Sequence, residues 1–404
     1  MKVGIVTTWF ERGAAIVSKQ FMDVLENLGC EVYIFARGGE EFAKTDPNWH
    51  LENVTWNSFL YSNIPTDINK RQYIRWLKQY DISVVLFNEQ QFYQPVIWTK
   101  ELGIPAVAYV DYYTKENYKA FDVYDQLWCN TKRHFSAFEW HPGAKYLPWG
   151  TDTDIYKGSK DKPQYLFFHS AGMSPFRKGT DVLVEAVWKI RGGLKNSGNK
   201  VLIHTQTSLF RAQEELGQKL HELINMGVVD VVTKTVSAPG LYYMAKIYVY
   251  PSRLEGIGLT LAEAACSGLY VVTTDEAPMN EFALEDVSSK IPVSRRFERA
   301  DRYYWDMVEP DVNALADKMG ALVEADIPPA DYIAARAKAE FDFKNNMRKL
   351  TELLNGIEMR LISDVTMDCI YKSDRGIGIV LKRRLWIFRF IFMVMKRLKK
   401  YLKK

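Results

Sequence analysis

The chain has 404 residues, 47% hydrophobic and 25% charged, which fits an ordinary globular protein and excludes a disordered or fibrous one. That length exceeds one comfortable hydrophobic core, so a lone binding module is excluded and two domains are expected. Lys and Arg number 53 against 49 Asp and Glu, but the net +4 is an average: residues 372–404 hold twelve Lys or Arg and one Asp, leaving residues 1–371 at −7. An acidic body with a basic tail makes no strong claim on nucleic acid, and none is expected as a partner.

Strand-length apolar runs alternate with helix-length segments along the chain. In the first part the runs are Val3 to Val6, Glu31 to Phe35, Val84 to Phe87, Ala106 to Val110 and Leu127 to Asn130, with helices over Ala14 to Leu28 and roughly Asp67 to Gln79. Alternation of this kind predicts parallel strands with crossover helices. The polar, turn-rich stretch WGTDTDIYKGSKDKPQ after Pro148 reads as an interdomain linker. A second series follows, with strands at Tyr165 to His169, Lys200 to His204, Val229 to Thr233, Ile247 to Tyr250 and Tyr270 to Thr274, and helices at Thr180 to Arg191 and Leu259 to Ser267. The expected architecture is α/β: two Rossmann-like domains, 1–150 and 151–340, facing one another across a cleft at their strand carboxyl ends. Helices over 341–371 would cross back to the first domain, and 372–404 would form the basic tail.

Cysteines 30, 129, 266 and 369 are far apart and show no metal-ligand spacing, so neither zinc nor a disulfide framework is expected. MKVGIVTTWF lacks the regions of a signal peptide, and no run of about 18 apolar residues occurs; a cytoplasmic protein without a transmembrane helix is expected.

Three places along the chain carry candidate chemistry. The loop after the first strand holds one glycine, Gly13, where a dinucleotide fingerprint needs three, so a nicotinamide-dependent dehydrogenase is disfavoured. Gly172-Met-Ser-Pro-Phe-Arg-Lys-Gly179 follows a strand and opens a helix, putting Arg177 and Lys178 beside backbone N–H groups that attract anions. A basic pair at a helix start is also a common solvated surface feature, and the full phosphate-loop pattern of ATPases is missing. In the third, Pro251 to Gly268, Gly256 and Gly258 allow close backbone approach, the helix from Leu259 aims free N–H groups at the same corner, and a diphosphate fits there. Glu255 precedes that helix. Glu263 lies inside it among Leu261, Ala262, Ala264 and Ala265, a position where a carboxylate needs partners.

The Pro251 to Gly268 segment resembles the signature of retaining glycosyltransferase family 4, enzymes of the GT-B fold, in its Glu, seven residues, Glu spacing and its Glu-Gly-Ile-Gly-Leu core. The likeness spans roughly residues 1–355: Lys178-Gly179, Pro148-Trp-Gly-Thr-Asp152, Gly13 and the run Asp275 to Glu281 each fall where the family has a motif. The resemblance implies that Lys178 contacts the diphosphate of a nucleotide sugar, Glu255 the donor sugar, and Glu263 the ribose hydroxyls. The amides of Gly256, Ile257, Gly258 and Leu259 would hold phosphate and sugar, with Gly13 close to the donor. It further implies retention by front-face attack, no cofactor beyond the nucleotide-sugar substrate, and no metal. Two departures stand out. Met173 occupies the family's usual Arg position, which leaves Arg177 as the replacement contact, and Asp111-Tyr112 replaces a His-Asp pair, which makes Asp111 the candidate for contact with the donor sugar or the acceptor hydroxyl. Asp152-Thr-Asp154 mimics a metal motif, but the interdomain match already accounts for it.

On a helical wheel Ile387, Ile391, Val394, Leu398 and Leu402 fall within about 80°, with Lys382, Arg389, Lys396, Lys400 and Lys403 opposite. A basic amphipathic helix over 382–404 is expected to bind the anionic inner face of a membrane, pointing to a lipid-linked glycan acceptor in surface polysaccharide assembly. Competing readings are an epimerase of nucleotide sugars with the same fold and a membrane-associated scaffold that binds a glycan or nucleotide sugar without transfer. Donor specificity is expected in loops such as Gln206 to Phe210 and Val236 to Leu241, with UDP favoured over GDP.

Overall fold

The computed structural model describes residues 1–374 apart from 12, 44, 59–65, 160–161, 210–213 and 300–301. The amphipathic helix expected over 382–404, and Phe210 of the loop singled out above, lie outside the described residues. The chain divides into two compact units, one made of residues 1–129, 134–146 and 348 onward, the other of 130–133 and 147–347.

In the first unit, seven parallel strands alternate with helices: β1 (Lys2–Thr7), α1 (Gly13–Asn27), β2 (Glu31–Ala36), α2 (Glu40–Ala43), β3 (Val54–Trp56), α3 (Lys70–Gln79), β4 (Val84–Asn88), α4 (Gln94–Glu101), β5 (Ala106–Val110), β6 (Gln126–Cys129), α5 (Lys132–Phe138, its first two residues grouped with the second unit) and β7 (Ala144–Tyr146). Their order across the sheet is β3-β2-β1-β4-β5-β6-β7. β4 and β5 are buried along their whole length, as expected where helices cover both faces of a parallel sheet. α1 turns Ala15, Val17, Phe21, Met22, Val24 and Leu25 inward at helical spacing, and α3 starts at Asn69, whose side chain accepts the Gln72 N–H. Large rings fill this core, Trp9, Trp76 and Trp128 among them.

The second unit continues with β8 (Tyr165–Gly172), α6 (Thr180–Ser197), β9 (Val201–Thr205), α7 (Glu214–Asn225), β10 (Val229–Thr233), β11 (Ala245–Tyr250), α8 (Leu259–Cys266), β12 (Tyr270–Thr274) and β13 (Ser288–Ile291). An antiparallel pair, β14 (Val293–Phe297) and β15 (Met307–Pro310), leads to α9 (Val312–Glu324), α10 (Ala330–Phe341) and α11 (Phe343–Asn346). The six parallel strands run β10-β9-β8-β11-β12-β13. Val184, Val187, Ile203, Ile247, Val249, Leu315 and Met319 meet in its aliphatic core. Each sheet is Rossmann-like, and each reverses its strand order beside its first strand, between β1 and β4 and between β8 and β11.

The segment read as a linker begins as packed structure. Trp149 and Thr151 are buried, Thr151 exchanges backbone hydrogen bonds with Phe341 and Phe343, and the Trp149 ring lies 4.7 Å from that of Phe343. Its polar composition conceals this because the partners come almost 200 residues later.

Residues 348–374, with α12 (Leu350–Asn355) and α13 (Asp364–Asp374), complete the first unit. Arg360 fastens them there. Its guanidinium pairs with Asp122 at 2.6 Å and donates to the Tyr124 carbonyl, while its backbone N–H donates to Asp125, a carboxylate already paired with buried Lys100 at 2.8 Å.

Candidate functional site

The best-developed polar constellation sits at the switch point of the second sheet. β8 runs into the turn 172–179, which ends at Gly179 and opens α6. Gly179 has a φ of 71°, and a Cβ there would strike the Pro251 carbonyl oxygen, so only glycine lets this turn lie against the end of β11. β11 in turn feeds the loop 251–258, which closes at Gly258 with a φ of 94° and opens α8. Neither helix has a side-chain cap at its start. Their first N–H groups have no intrahelical acceptor, so two positive helix ends come from adjacent strands of one sheet.

Glu255 is the hub between them. Its Oε1 accepts from Ser252 Oγ at 2.7 Å, Tyr250 Oη at 2.8 Å and Lys178 Nζ at 2.8 Å, and Arg177 Nη1 lies 2.9 Å away. Burial pushes this carboxyl up, but the Lys178 and Arg177 cations and the Ser252 hydroxyl outweigh burial and hold it at about 2. Glu255 is therefore ionised at any working pH. Burial also acts on Lys178 and, despite Glu255, lowers its ammonium to about 8; Nζ donates to Tyr250 as well. Arg177 adds a hydrogen bond to the Leu254 carbonyl at 2.7 Å, while Met173, in the same turn, is exposed.

Glu263 stands about one helical turn into α8 and is held differently. Tyr242 donates to its Oε2 at 2.7 Å and Tyr156 donates as well. Burial raises its pKa and the two hydroxyls oppose the rise. The expectation that a carboxylate among those alanines needs partners is met by tyrosines rather than cations.

Behind the site, Arg253 locks its two halves together. The buried guanidinium makes two 2.7 Å bonds to Asp181 at the start of α6, two more to Glu309 in β15, and one to the Phe176 carbonyl in the turn. His169, also buried, bonds the Val249 carbonyl and Thr180 through its two ring nitrogens, and burial lowers its pKa to about 4. It is a neutral structural cross-link.

Of the residues singled out from sequence, Arg177, Lys178 and Glu255 come together, with Gly256, Ile257, Gly258 and Leu259 forming the adjoining loop and helix start and Glu263 behind them. Gly13 and Asp111 belong to the first unit, Gly13 opening α1 and Asp111 following β5. A Cβ on Gly13 would meet open space. Asp152 accepts the Asp154 N–H in a turn and Asp154 pairs with Lys344; no group of three metal-binding side chains occurs among the described residues. Sequence reasoning missed Tyr250, Ser252, Arg253, Tyr242 and Tyr156. Tyr250 and Ser252 were within reach, since they flank Pro251, the first residue of the motif. Arg253 carries no local signal, because its carboxylates lie 72 and 56 residues away.

Residues 163–325 match the family described as glycosyl transferases group 1. Solved structures share the fold at low identity. HepE from Anabaena, bound to UDP and glucose, is 16% identical with a TM-score of 0.65, over 88% of this chain and 99% of that one. A glycosyltransferase from Rickettsia africae is 15% identical with a TM-score of 0.65, over 88% and 98%. The pneumococcal O-GlcNAc transferase GtfA, bound to UDP and GlcNAc, is 12% identical with a TM-score of 0.58, over 94% and 99%. The fold is thus of the GT-B kind. No curated protein sequence matches the chain.

Proposed function

We propose that the chain, whose residues 163–325 match the group 1 glycosyl transferases, transfers a sugar, with retention, from a UDP-sugar to a glycan acceptor. One observation carries the reading: Lys178 and Arg177 converge with Glu255 beside two uncapped helix starts at the switch point of a parallel sheet. A diphosphate is the ligand such a corner suits. Lys178 and the amides of Ile257 to Leu259 would stabilise negative charge as it grows on the departing diphosphate. Glu255, ionised and fixed by four neighbours, would accept from donor-sugar hydroxyls, and Glu263 from the ribose.

In the step itself, the bond between C1 and the phosphate oxygen breaks as the acceptor oxygen attacks the same face. The acceptor proton passes to the leaving phosphate, so no separate base is required. Asp111, in the first unit, would orient the acceptor hydroxyl, and Gly13 would let backbone approach the donor. UDP is favoured over GDP because HepE and the pneumococcal enzyme are both described with UDP.

The basic tail supports a lipid-linked acceptor and peripheral attachment to the inner face of a membrane through residues 382–404. No described helix is long and apolar enough to cross a membrane. Incubating the full chain with a UDP-sugar panel and membrane extract tests the whole reading: acceptor-dependent UDP release with an α-linked product from an α-donor is expected. Conversion of a donor without acceptor would replace transfer by epimerisation, and UDP binding without turnover would leave a scaffold. Removing residues 376–404 should shift the protein from the membrane to the soluble fraction, and continued sedimentation would remove the tail as anchor.

A further inference from the structure

At the carboxyl edge of the first sheet, β2 and β4 flank β1 at the switch point, and a second cation stands there. Arg37 follows β2, its backbone N–H bonded to the Thr7 carbonyl at the end of β1. Its Nη1 donates to Gln90 Oε1 at 2.9 Å, reaching past β1 to the segment after β4. Gln90 is buried and fully committed, donating to the carbonyls of Phe92 and Thr66 and to the Thr66 hydroxyl. The arginine is therefore aimed by a rigid neutral amide. No described carboxylate forms an ion pair with it; Glu89 acts on it only from a distance. Partial burial, against the pull of Glu89 and Tyr124, lowers its pKa to about 10.

Three independent features mark the same edge. Glu89 and Thr66 hold φ values of 52° and 60°, costly for residues with side chains and tolerated where function fixes the backbone. Asn88, 1% exposed at the end of β4, leaves its Oδ1 without a partner among the described residues, while its amide nitrogen is tied to Ala14 and Ser18. Phe10, after β1, and Phe42, in α2 after β2, stack at 5.0 Å, with Phe42 63% exposed. A half-buried guanidinium with no carboxylate paired to it among the described residues is poorly compensated, and its planar fork matches phosphate or carboxylate oxygens. An exposed aromatic pair offers a flat apolar surface for a sugar face or a hydrocarbon chain.

We propose that Arg37, aimed by Gln90 at the carboxyl edge of the sheet that also carries the stacked Phe10 and Phe42 rings, binds an anionic group of the acceptor, a phosphate or a carboxylate. Calling that anion part of the acceptor rests on the transferase reading; the anion site itself does not. In an acceptor attached through a phosphate the anion is the lipid-side phosphate, and in an acidic glycan it is a sugar carboxylate.

The test uses the full chain with UDP saturating, so that the Lys178 corner is occupied. Calorimetry would measure inorganic phosphate, farnesyl phosphate and glucuronic acid as three arms. Phosphate binding that weakens about tenfold or more in Arg37→Gln, and less in Arg37→Lys, is expected. Phe42→Ser should weaken farnesyl phosphate or glucuronic acid and spare inorganic phosphate; whichever of the two binds tighter identifies the source of the anion. If Arg37→Gln fails to melt cooperatively, Arg37→Lys carries the decision through loss of the guanidinium fork. Equal phosphate affinity in the parent and the folded Arg37 variants, or no phosphate binding by a chain that binds UDP, would overturn the anion site. Failure of the chain to bind UDP at all would instead overturn the transferase reading and leave the phosphate result to stand alone.

Discussion

The carboxyl edges of the two sheets are built on opposite electrostatic plans. In the second unit the cations Arg177 and Lys178 are already compensated by a buried carboxylate, Glu255, which also gathers Tyr250 and Ser252. In the first unit Arg37 rests on the neutral amide of Gln90. The cluster keeps its shape when empty, because Glu255 Oε1 ties both cations, Tyr250 and Ser252 together, while two cations against one carboxylate leave a positive charge, and this is what a site for a leaving diphosphate needs. An uncompensated cation instead waits for a ligand that brings its own charge. The two plans predict different responses to mutation: removing a member of the compensated cluster injures what remains, whereas removing Arg37 strands no opposite charge.

Lys178→Ala should give the largest effect. It deletes the contact to the growing diphosphate charge and leaves Glu255 with one cation, so a fall in kcat of about a hundredfold to a thousandfold is expected by steady-state assay. A drop confined to KM would mean that Lys178 binds the ground state only. The same side chain sets a pH dependence. With its pKa lowered to about 8, Lys178 loses its proton as pH rises past that value, so UDP affinity in the free enzyme should decline above about pH 8 and hold steady below it. Affinity that is flat to pH 10 would remove Lys178 from the diphosphate site.

Arg253→Met comes next and acts on stability. The variant keeps the packing volume but leaves Asp181 and Glu309, each less than a fifth exposed, without their shared cation. A loss of about 3 kcal/mol is expected in urea unfolding, since breaking a buried pair strands charge. Near-zero change would show that the compensated plan does not extend behind the site.

Much of this contrast was open to sequence reading, and what was hidden has a common cause. The long parallel strands and α1, α6 and α8 announce themselves because a strand covered on both faces is a continuous apolar run and a helix on a sheet repeats its apolar residues at 3.6. β3 escapes, having three half-buried residues, Val54–Trp56, at the sheet edge. The Glu255 and Glu263 spacing, the glycines and Lys178 sit within short motifs and were legible as such. Tyr242, Tyr156, Arg253 and Gln90 depend on partners 21 to 107 residues away, and only the folded chain brings those partners together. The packing of Trp149 and Thr151 was masked for the same reason.

The smaller effects test the carboxylate that has no cation in contact. Glu263→Ala should weaken UDP binding about tenfold to a hundredfold by calorimetry, the range for hydrogen bonds to a charged acceptor, with little change for uracil alone. Unchanged affinity would end the ribose role.

Tyr242→Phe is subtler, because it removes one hydroxyl from Glu263 and preserves the ring packed on Phe168 and Tyr248. Burial already raises the Glu263 pKa, and Tyr242 and Tyr156 restrain the rise by donating to the ionised form. Without one donor the pKa should climb further. If the ribose is held by the carboxylate, UDP affinity should then fall off at a higher pH on the acid side than in the parent, and the two should converge as pH rises. A purely structural role for Tyr242 would lower affinity equally across the pH range, and 2′-deoxy-UDP, lacking one ribose hydroxyl, should respond less than UDP. An acid limb that stays in place would separate Glu263 from its tyrosines in function, and the contrast between a carboxylate governed by cations and one governed by hydroxyls would then be one of packing alone.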